Sequence, residues 1–165
     1  MPTLKGYACW INGNEDEPSY RVATTASKAR ADYWRYLGDC CPDLKIMDVH
    51  VRRAPGHDMV FPDLPADASD INKRERDVIL HTFGGGSHIQ PEQWGYRNSY
   101  CCDPKEPTLN GLVARGLMTG PHGMDREGGT GMWVGAFFFL TDAGKHVARA
   151  LIGEREAGNA SRKAQ

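Results

Sequence analysis

Several features that would indicate a common functional class are missing from this sequence of 165 residues. Its 20 lysines and arginines are balanced by 21 acidic residues, and a net charge of −1 provides no general attraction to nucleic acid or to anionic membranes. No apolar run is long enough to cross a bilayer, and the N-terminus lacks the apolar stretch of a signal peptide. We therefore expect a cytoplasmic protein that does not bind a membrane.

The cysteines and histidines lack the spacing that metal sites require. Five cysteines, an odd number without a dense framework, indicate reduced thiols. The pairs Cys40-Cys41 and Cys101-Cys102 are adjacent, whereas zinc ligands are usually separated by two or more residues. We interpret these cysteines as small buried hydrophobic residues. The six histidines form no His-x-x-x-His pair, so we predict neither a metal nor another cofactor.

Sequence patterns that are typical of enzymes are also scarce. The run Gly84-Gly85-Gly86-Ser87-His88 is superficially similar to an oxyanion loop or a phosphate cradle. However, no Lys-Ser or Lys-Thr pair follows it, and no predicted strand precedes it. Because a helical pattern precedes it instead, we interpret these glycines as a helix end and a loop. We predict no catalytic residue and no enzymatic activity.

The first third of the chain contains alternating strand and helix patterns, which predict a ββαβ unit. An Asn-Gly pair begins the turn between the first two strands, and Thr24 or Thr25 caps the helix. The last strand has apolar residues at both odd and even positions, so we expect it to be central or covered on both faces. The apolar face of the helix comprises Ala29, Tyr33, Tyr36 and Leu37. The strands are predicted at residues 4–11, 20–23 and 44–53.

A segment rich in proline and aspartate, Ala54–Asp70, follows this unit and is interpreted as a linker. We place the domain boundary near Asp63. The predicted organisation is a small domain of residues 1–62, a second domain of residues 63–156 and a flexible polar tail of residues 157–165.

The predicted helix of the first domain is rich in aromatic and basic residues, which allows two interpretations. Tyr33, Trp34 and Tyr36 lie close in sequence to Arg30 and Arg35, and stacking platforms for single-stranded nucleic acid use such residues. Alternatively, these residues form a core and a solvated face, because Tyr33 and Tyr36 fit the apolar stripe. An exposed Trp34 would mark a contact with another protein.

Helical and glycine-rich segments alternate in the second domain. A helix following Ser69-Asp70 is predicted to end at residues 84–86, and a shorter helix is predicted after Pro91. A further helix at residues 108–115 has Pro107 in its first turn and ends at Gly116. A strand beginning at Leu117, a hairpin tip at residues 120–131 and a strand at residues 132–140 follow. Thr141 caps a last helix, whose apolar face comprises Ala143, Val147, Ala150 and Leu151.

Three sequence phrases in this domain resemble those of the MarR and PadR-like repressors. They are Leu112-Val113-Ala114-Arg115-Gly116-Leu117, then Asp125-Arg126, and then Leu140-Thr141-Asp142-Ala143-Gly144-Lys145. The resemblance covers roughly a third of the chain. It implies an α+β protein in which the ββαβ unit is followed by a C-terminal winged helix-turn-helix.

In a winged helix of this kind, the helix before the wing enters the major groove of duplex DNA. We therefore expect the helix near residues 107–116 to contact base edges and the wing near residues 120–131 to contact the DNA backbone. The predicted DNA-binding residues are Arg97, Asn98, Lys105, Thr108, Asn110, Arg115, His122 and Arg126. The last helix is a candidate for forming a homodimer, although its apolar stripe could instead cover the core of a single chain.

A looser resemblance links the chain to small accessory proteins encoded by phages and prophages. It depends on Ala26-Ser27-Lys28-Ala29-Arg30 before the aromatic helix and on Tyr96-Arg97-Asn98 before the winged half. The first hypothesis is therefore a non-enzymatic DNA-binding regulator of transcription. The alternative is a protein-interaction module that inhibits or redirects a host complex, which the near-zero net charge favours. An exposed apolar patch on the first domain, rather than a basic stripe on the second, would distinguish the two.

Overall fold

The structure is a computed structural model that describes residues 3–123 and 135–163. Within these residues the protein is a mixed α+β protein with four α-helices and two antiparallel sheets. The chain divides into two compact units. The first unit comprises Met1–Phe61 and Ala157–Gln165, and the second unit comprises Pro62–Glu156. No helix in the described ranges combines the length and the apolar character that are needed to span a membrane.

The first unit is built around one long central strand. Strand β1 (Thr3–Ile11) pairs antiparallel with β2 (Ser19–Ala23) on one side and with β3 (Val49–Arg53) on the other. The short strand β4 (Met59–Val60) pairs with the beginning of β1. Gly13 adopts a φ of +89° in the turn after β1, a conformation that glycine enters without strain. The predicted Asn-Gly turn is confirmed.

Helix α1 (Ala26–Leu37) covers one face of this sheet. Thr25 caps the helix as predicted, because its side chain accepts a hydrogen bond from the amide of Lys28. Residues of odd number along β1 point towards the helix, and Tyr7 and Cys9 pack there with Ala29 and Tyr33. The even-numbered residues of β1 therefore point to the opposite face of the sheet.

The prediction of the third strand was wrong both in the extent of the strand and in its position within the sheet. Residues 46–48 form a 3-10 turn, and the strand begins only at Val49. Strand β3 pairs only with β1 in the described sheet, and most of its residues are exposed or half-buried. The apolar residues at odd and even positions therefore belong to two local structures, a 3-10 turn and a strand at the edge of the sheet. They do not form one strand that is covered on both faces.

Within its described residues, the second unit combines three α-helices with a three-stranded sheet. Helix α2 (Lys73–Phe83) begins with a reciprocal pair of hydrogen bonds between Asn72 and Glu75, and it ends at Gly84 with a φ of +73°. The sheet comprises β5 (Ser99–Cys102), β6 (Met118–Gly123) and β7 (Ala136–Leu140) in the order β5-β7-β6. Helix α3 (Pro107–Ala114) precedes β6, and helix α4 (Asp142–Lys163) follows β7.

Several local predictions for the second unit need correction. The helix predicted after Pro91 is only a 3-10 turn, and β5 was not predicted. Residues 120–123 belong to β6 rather than to a hairpin tip, while residues 124–134 of the predicted tip and last wing strand lie outside the described residues. Helix α4 continues to Lys163, so it includes residues 157–163 of the predicted polar tail.

The apolar stripe of α4 is used inside the chain. Val147, Ala150 and Leu151 are almost completely buried, whereas Ala143, which was predicted on the same stripe, is exposed. Thr141 caps the helix as predicted, because its hydroxyl accepts a hydrogen bond from the amide of Gly144. The stripe therefore covers the core of a single chain and is not free to form the predicted homodimer.

Candidate functional site

Asn110, which was predicted to contact a base edge, uses its side-chain amide for hydrogen bonds within the protein. Its side-chain amide donates hydrogen bonds to the carbonyl oxygens of Pro104 and Glu106, both at 2.9 Å. Bidentate recognition of adenine needs the same N–H group. In this structure the side chain instead holds the segment before α3 against the helix.

The side chain of Arg115 also forms ion pairs and a hydrogen bond within the second unit. Its guanidinium is paired with Asp70 at 2.5 Å and with Glu75 at 3.7 Å, and it donates to the carbonyl oxygen of Asp67 at 3.0 Å. Helix α3 carries no charged residue between Pro107 and Ala114. The helix therefore provides no cationic side chain for the electrostatic attraction to DNA phosphates.

Asn98 connects the segment before β5 to the end of β7. Its amide oxygen accepts from the amide of Leu140 at 3.1 Å, and its NH₂ group donates to the carbonyl of Leu140 at 3.4 Å. The adjacent Arg97 lies near His81, and burial of His81 together with the charge of Arg97 lowers the pKa of that histidine. Neither residue lies on α3, where the predicted DNA contact is centred.

The remaining predicted DNA contacts are separated along the fold. Lys105 is exposed in the loop before α3, and Thr108 is half-buried in its first turn. His122 lies near the end of β6, with Nε2 3.4 Å from the hydroxyl of Thr119 and its ring 5.6 Å from that of Phe139. Arg126 lies outside the described residues.

The cysteine pairs are not buried as predicted. Cys40 and Cys101 are exposed, and Cys41 and Cys102 are half-buried, whereas Cys9 is fully buried. Burial raises the pKa of the Cys102 thiol, which disfavours the thiolate that binds metals. Among the described residues, no group of three histidine, cysteine or acidic side chains is arranged to hold a metal ion.

The loop after α2 borders a shallow cavity in the second unit. The cavity has a volume of about 400 Å³ and is lined by residues 89 and 92–96. Arg155 lies over the ring of Trp94 at 5.6 Å and donates to the carbonyl oxygen of Gly85 at 2.6 Å. The predicted glycine run thus ends a helix and accepts a hydrogen bond, as a structural loop does.

Trp34 is partly exposed, but its polar edge has a structural role. Its indole N–H donates to the carbonyl oxygen of Leu44 at 2.8 Å and so anchors the loop after α1. Tyr36, which was predicted to face the core, is 66% exposed, and the guanidinium of Arg21 lies 4.5 Å from its ring centre. The aromatic helix therefore contributes Tyr33 to the core and presents Trp34 and Tyr36 at the surface.

A groove lies beside the anchored loop, at the end of β1. It has a volume of about 380 Å³, and its apolar wall includes Ile11, Pro42 and Leu44, while Asp43 and Asp48 add carboxylates. The register explains this arrangement, because Ile11 pairs with Val49 and Cys9 pairs with Ser19. The turn after β1 and the loop before β3 consequently meet at one end of the sheet.

The two loops at this end carry a strong negative charge. Residues 12–18 contain three acidic residues, and residues 38–48 contain three more, against the single base Lys45. Hydrogen bonds from the backbone amides of residues 15 and 13 lower the pKa of Glu15, so its charge is retained at neutral pH. We call this end of the first unit, with the groove and its two loops, the acidic groove.

Exposed apolar side chains lie next to the acidic groove. Of the seven large hydrophobic side chains that are exposed among the described residues, six belong to the first unit. Ile46 and Met47 follow the groove residue Leu44 along the chain, and Met47 is 83% exposed. A single exposed apolar residue is ordinary, but adjacent ones beside a groove indicate a contact surface.

Sequence reasoning identified Trp34 and did not identify the acidic groove. The six acidic residues are distributed over two segments, and only the strand pairing brings these segments together.

Comparison of the chain with protein-family models, with curated proteins and with solved structures finds no match.

Proposed function

We propose that this protein is a non-enzymatic interaction protein whose acidic groove binds a segment of a partner protein. The segment has an apolar side chain that enters the groove and neighbouring lysine or arginine residues that face the acidic loops. The observation that supports this proposal is the coincidence of the groove, the exposed Ile46 and Met47, and six acidic residues at one end of the first unit.

The apolar and the charged parts of the acidic groove contribute to binding in different ways. Burial of Met47 and of the partner's apolar side chain removes apolar surface from water and supplies affinity. The exposed carboxylates of Asp39 and Asp43 attract a basic segment, accelerate its association and reject acidic competitors. If the chain belongs with the phage accessory proteins that it resembles, the partner is a host protein.

The test is selection of binders from a random peptide library with the intact protein. We expect enriched peptides to combine an apolar residue with adjacent lysine or arginine. The double variant Asp39→Lys/Asp43→Lys should weaken the selected peptides by at least about tenfold, since each like-charge contact opposes binding. Met47→Ser should weaken them as well. Asp77→Lys, a change of an exposed aspartate on α2, is the matched control and should leave binding unchanged.

Two outcomes would reject the acidic groove as the binding site. One is enrichment of acidic or purely polar peptides. The other is equal binding of the selected peptides by the parent, by Asp39→Lys/Asp43→Lys and by Met47→Ser.

The second candidate function is binding of duplex DNA by the second unit as a winged helix. What favours it is the strand order β5-β7-β6, with α3 directly before β6, which is the arrangement expected for a helix followed by a wing. Lys105 and His122 are exposed and could contact phosphates. However, only residues 103–106 separate β5 from α3, so the described residues contain no second helix between them.

Binding of labelled duplex fragments from around the gene for this protein tests the second candidate at low and at physiological salt. Binding of one preferred fragment at physiological salt would support a transcription regulator. Binding that disappears at physiological salt, or that is equal for all fragments, would leave no role for α3 in sequence recognition.

A further inference from the structure

The face of the first sheet that points away from α1 carries aromatic and basic side chains. On β1 these are the even-numbered positions, and the register places Trp10 opposite His50. Ala8 lies opposite Tyr20 on one side and opposite Arg52 on the other. Since side chains at paired positions project to the same face, Trp10, Tyr20, His50 and Arg52 share one surface. We call this surface the aromatic face.

The rings of the aromatic face are ordered by contacts with one another. Trp10 and His50 are stacked, with 5.7 Å between ring centres and 20° between planes. The guanidinium of Arg52 lies 5.7 Å from the centre of the Trp10 ring. Tyr20 stacks on His57 at 3.6 Å, with planes 11° apart. Flat π surfaces are thus held in place before any ligand arrives.

One end of this sheet face is covered, and the other is open. A Cβ atom at Gly6 would lie only 2.6 Å from backbone atoms of Ala54 and His57, so the segment after β3 packs directly on that position. Towards Trp10 the side chains remain accessible, because His50 and Arg52 are exposed and Tyr20 is 44% exposed. Ala8 is buried and belongs to the covered part of this face, so the accessible part comprises Tyr20, His50, Arg52 and the half-buried Trp10.

The charge of the aromatic face is opposite to that of the acidic groove. Its strand positions include one permanent cation, Arg52, and one histidine, His50. No acidic residue occupies the even-numbered positions of β1, β2 or β3. A planar ligand that carries negative charge therefore meets stacking surfaces and Arg52 on these strand positions, while the Glu15 carboxylate of the neighbouring loop interacts electrostatically with His50.

We propose that the aromatic face binds the unpaired bases of single-stranded nucleic acid. Bases stack on aromatic rings irrespective of their sequence, and an arginine beside the rings adds a cation–π contact and an attraction to phosphate. A duplex cannot use this surface, because its bases are already stacked and the wide sheet does not enter a groove. This site is independent of the proposed function, since it uses different side chains from those of the acidic groove.

Fluorescence anisotropy of labelled 15-mers of deoxythymidine and of uridine, titrated with the full chain at low salt, tests the proposal. Trp10→Ala and Arg52→Ala should each weaken binding by about tenfold, because removal of one stacking partner has an effect of this size. The matched controls on α1 are Trp34→Ala and Arg35→Ala, which should bind as the parent does. Met47→Ser should also leave oligonucleotide binding unchanged, which separates this test from that of the acidic groove.

Arg52→Ala keeps the proposal falsifiable even if Trp10→Ala fails to fold, because Arg52 is exposed and its removal leaves the core intact. A labelled duplex of the same length should bind more weakly than the single strand. The proposal is wrong if the single strands do not bind at low salt, if both variants bind as the parent does, or if the duplex is preferred.

Discussion

At the scale of single residues, two of the side chains that were predicted to contact DNA, Asn98 and Asn110, form hydrogen bonds with the backbone. Asn98 satisfies both backbone groups of Leu140, and Asn110 binds two carbonyl oxygens before α3. Polar backbone groups without water need such partners, and a side-chain amide can donate and accept at once. A residue type that suits base recognition suits this role equally well.

Replacement of Asn110 distinguishes the two roles. We expect Asn110→Ala to lower the free energy of unfolding by about 1 to 2 kcal/mol, because two hydrogen bonds to carbonyl oxygens are lost. Lys105→Ala, an exposed neighbour, should change it by less than about 0.5 kcal/mol. Chemical denaturation measures both. A stable Asn110→Ala variant with altered DNA sequence preference would restore Asn110 as a base contact.

The pH dependence of stability should depend in part on Asp58. Its carboxylate accepts hydrogen bonds from Arg53 at 2.6 Å and from the amide of Gly6 at 2.8 Å, and these lower its pKa. Since the folded pKa lies below the unfolded value, the contribution to stability is complete above the unfolded pKa. It disappears as the pH falls through the folded pKa.

Asp58→Asn should therefore be less stable than the parent at neutral pH, and the two should converge in acid. Thermal unfolding at a series of pH values measures the difference. Asp77→Asn, on the exposed side of α2, is the control. A constant difference across the series would show that the charge of Asp58 does not stabilise the fold.

At the scale of elements, two glycines inside helices have opposite surroundings. A Cβ atom at Gly144, in the first turn of α4, would overlap the carbonyl oxygen of Leu117 and lie 3.0 Å from the side chain of Leu140. A Cβ atom at Gly111, in α3, would meet nothing within 4 Å. The first glycine therefore permits close packing of α4, whereas the second has no such role.

Alanine at these two positions should change stability in opposite directions. We expect Gly144→Ala to destabilise the protein by about 1 to 3 kcal/mol through overpacking. We expect Gly111→Ala to stabilise it by about 0.5 to 1 kcal/mol, because alanine is the better helix former. Denaturant unfolding compares the pair. Equal effects of the two substitutions would contradict the packing of α4 against Leu117 and Leu140.

Strand β5 places its two cysteines in different environments. Cys101 is exposed opposite Phe137, whereas Cys102 is half-buried opposite the buried Ala136 and has a raised thiol pKa. We expect Cys40 and Cys101 to react first with a thiol reagent, Cys102 more slowly, and Cys9 only after unfolding. Mass spectrometry of partially labelled protein identifies the order. Labelling of Cys102 before Cys101 would contradict the assigned strand.

At the scale of the whole molecule, α4 contributes to the core of its own chain. If a dimer depended on its apolar stripe, the unfolding midpoint would rise with protein concentration. We expect Leu151→Ala to lower the free energy of unfolding by about 2 to 5 kcal/mol, as for other large-to-small changes in a core. Its midpoint, like that of the parent, should not depend on concentration. Arg149→Ala, on the exposed side of α4, is the control.

The near-zero net charge of the molecule conceals an uneven distribution. The acidic groove carries most of the negative charge of the first unit, while Arg52 lies on the aromatic face. Bulk composition indicated only that a general attraction to nucleic acid is missing. It could not predict two surfaces of opposite character in one small unit, since strand pairing determines which residues become neighbours.

Local chemistry was enough to predict most of the regular elements. The Asn-Gly turn, the Thr25 and Thr141 caps and the helix end at Gly84 depend on interactions within a few residues, and the structure contains all of them. The same local patterns failed at residues 44–53 and at β5. Apolar content alone cannot distinguish an edge strand from a turn beside it, because the distinction depends on the partner strand.

The sequence by itself therefore determined the start of α1, the end of α2 and the start of α4, since capping and glycine conformation are short-range effects. Only the tertiary structure decided which side chains remain available to bind a partner. Asn98 and Arg115 are committed because Leu140 and Asp70, which are distant in the sequence, are brought to them, whereas Arg52 and Met47 remain exposed. The physical reason is that availability depends on contacts between segments far apart in the chain, and no local pattern encodes them.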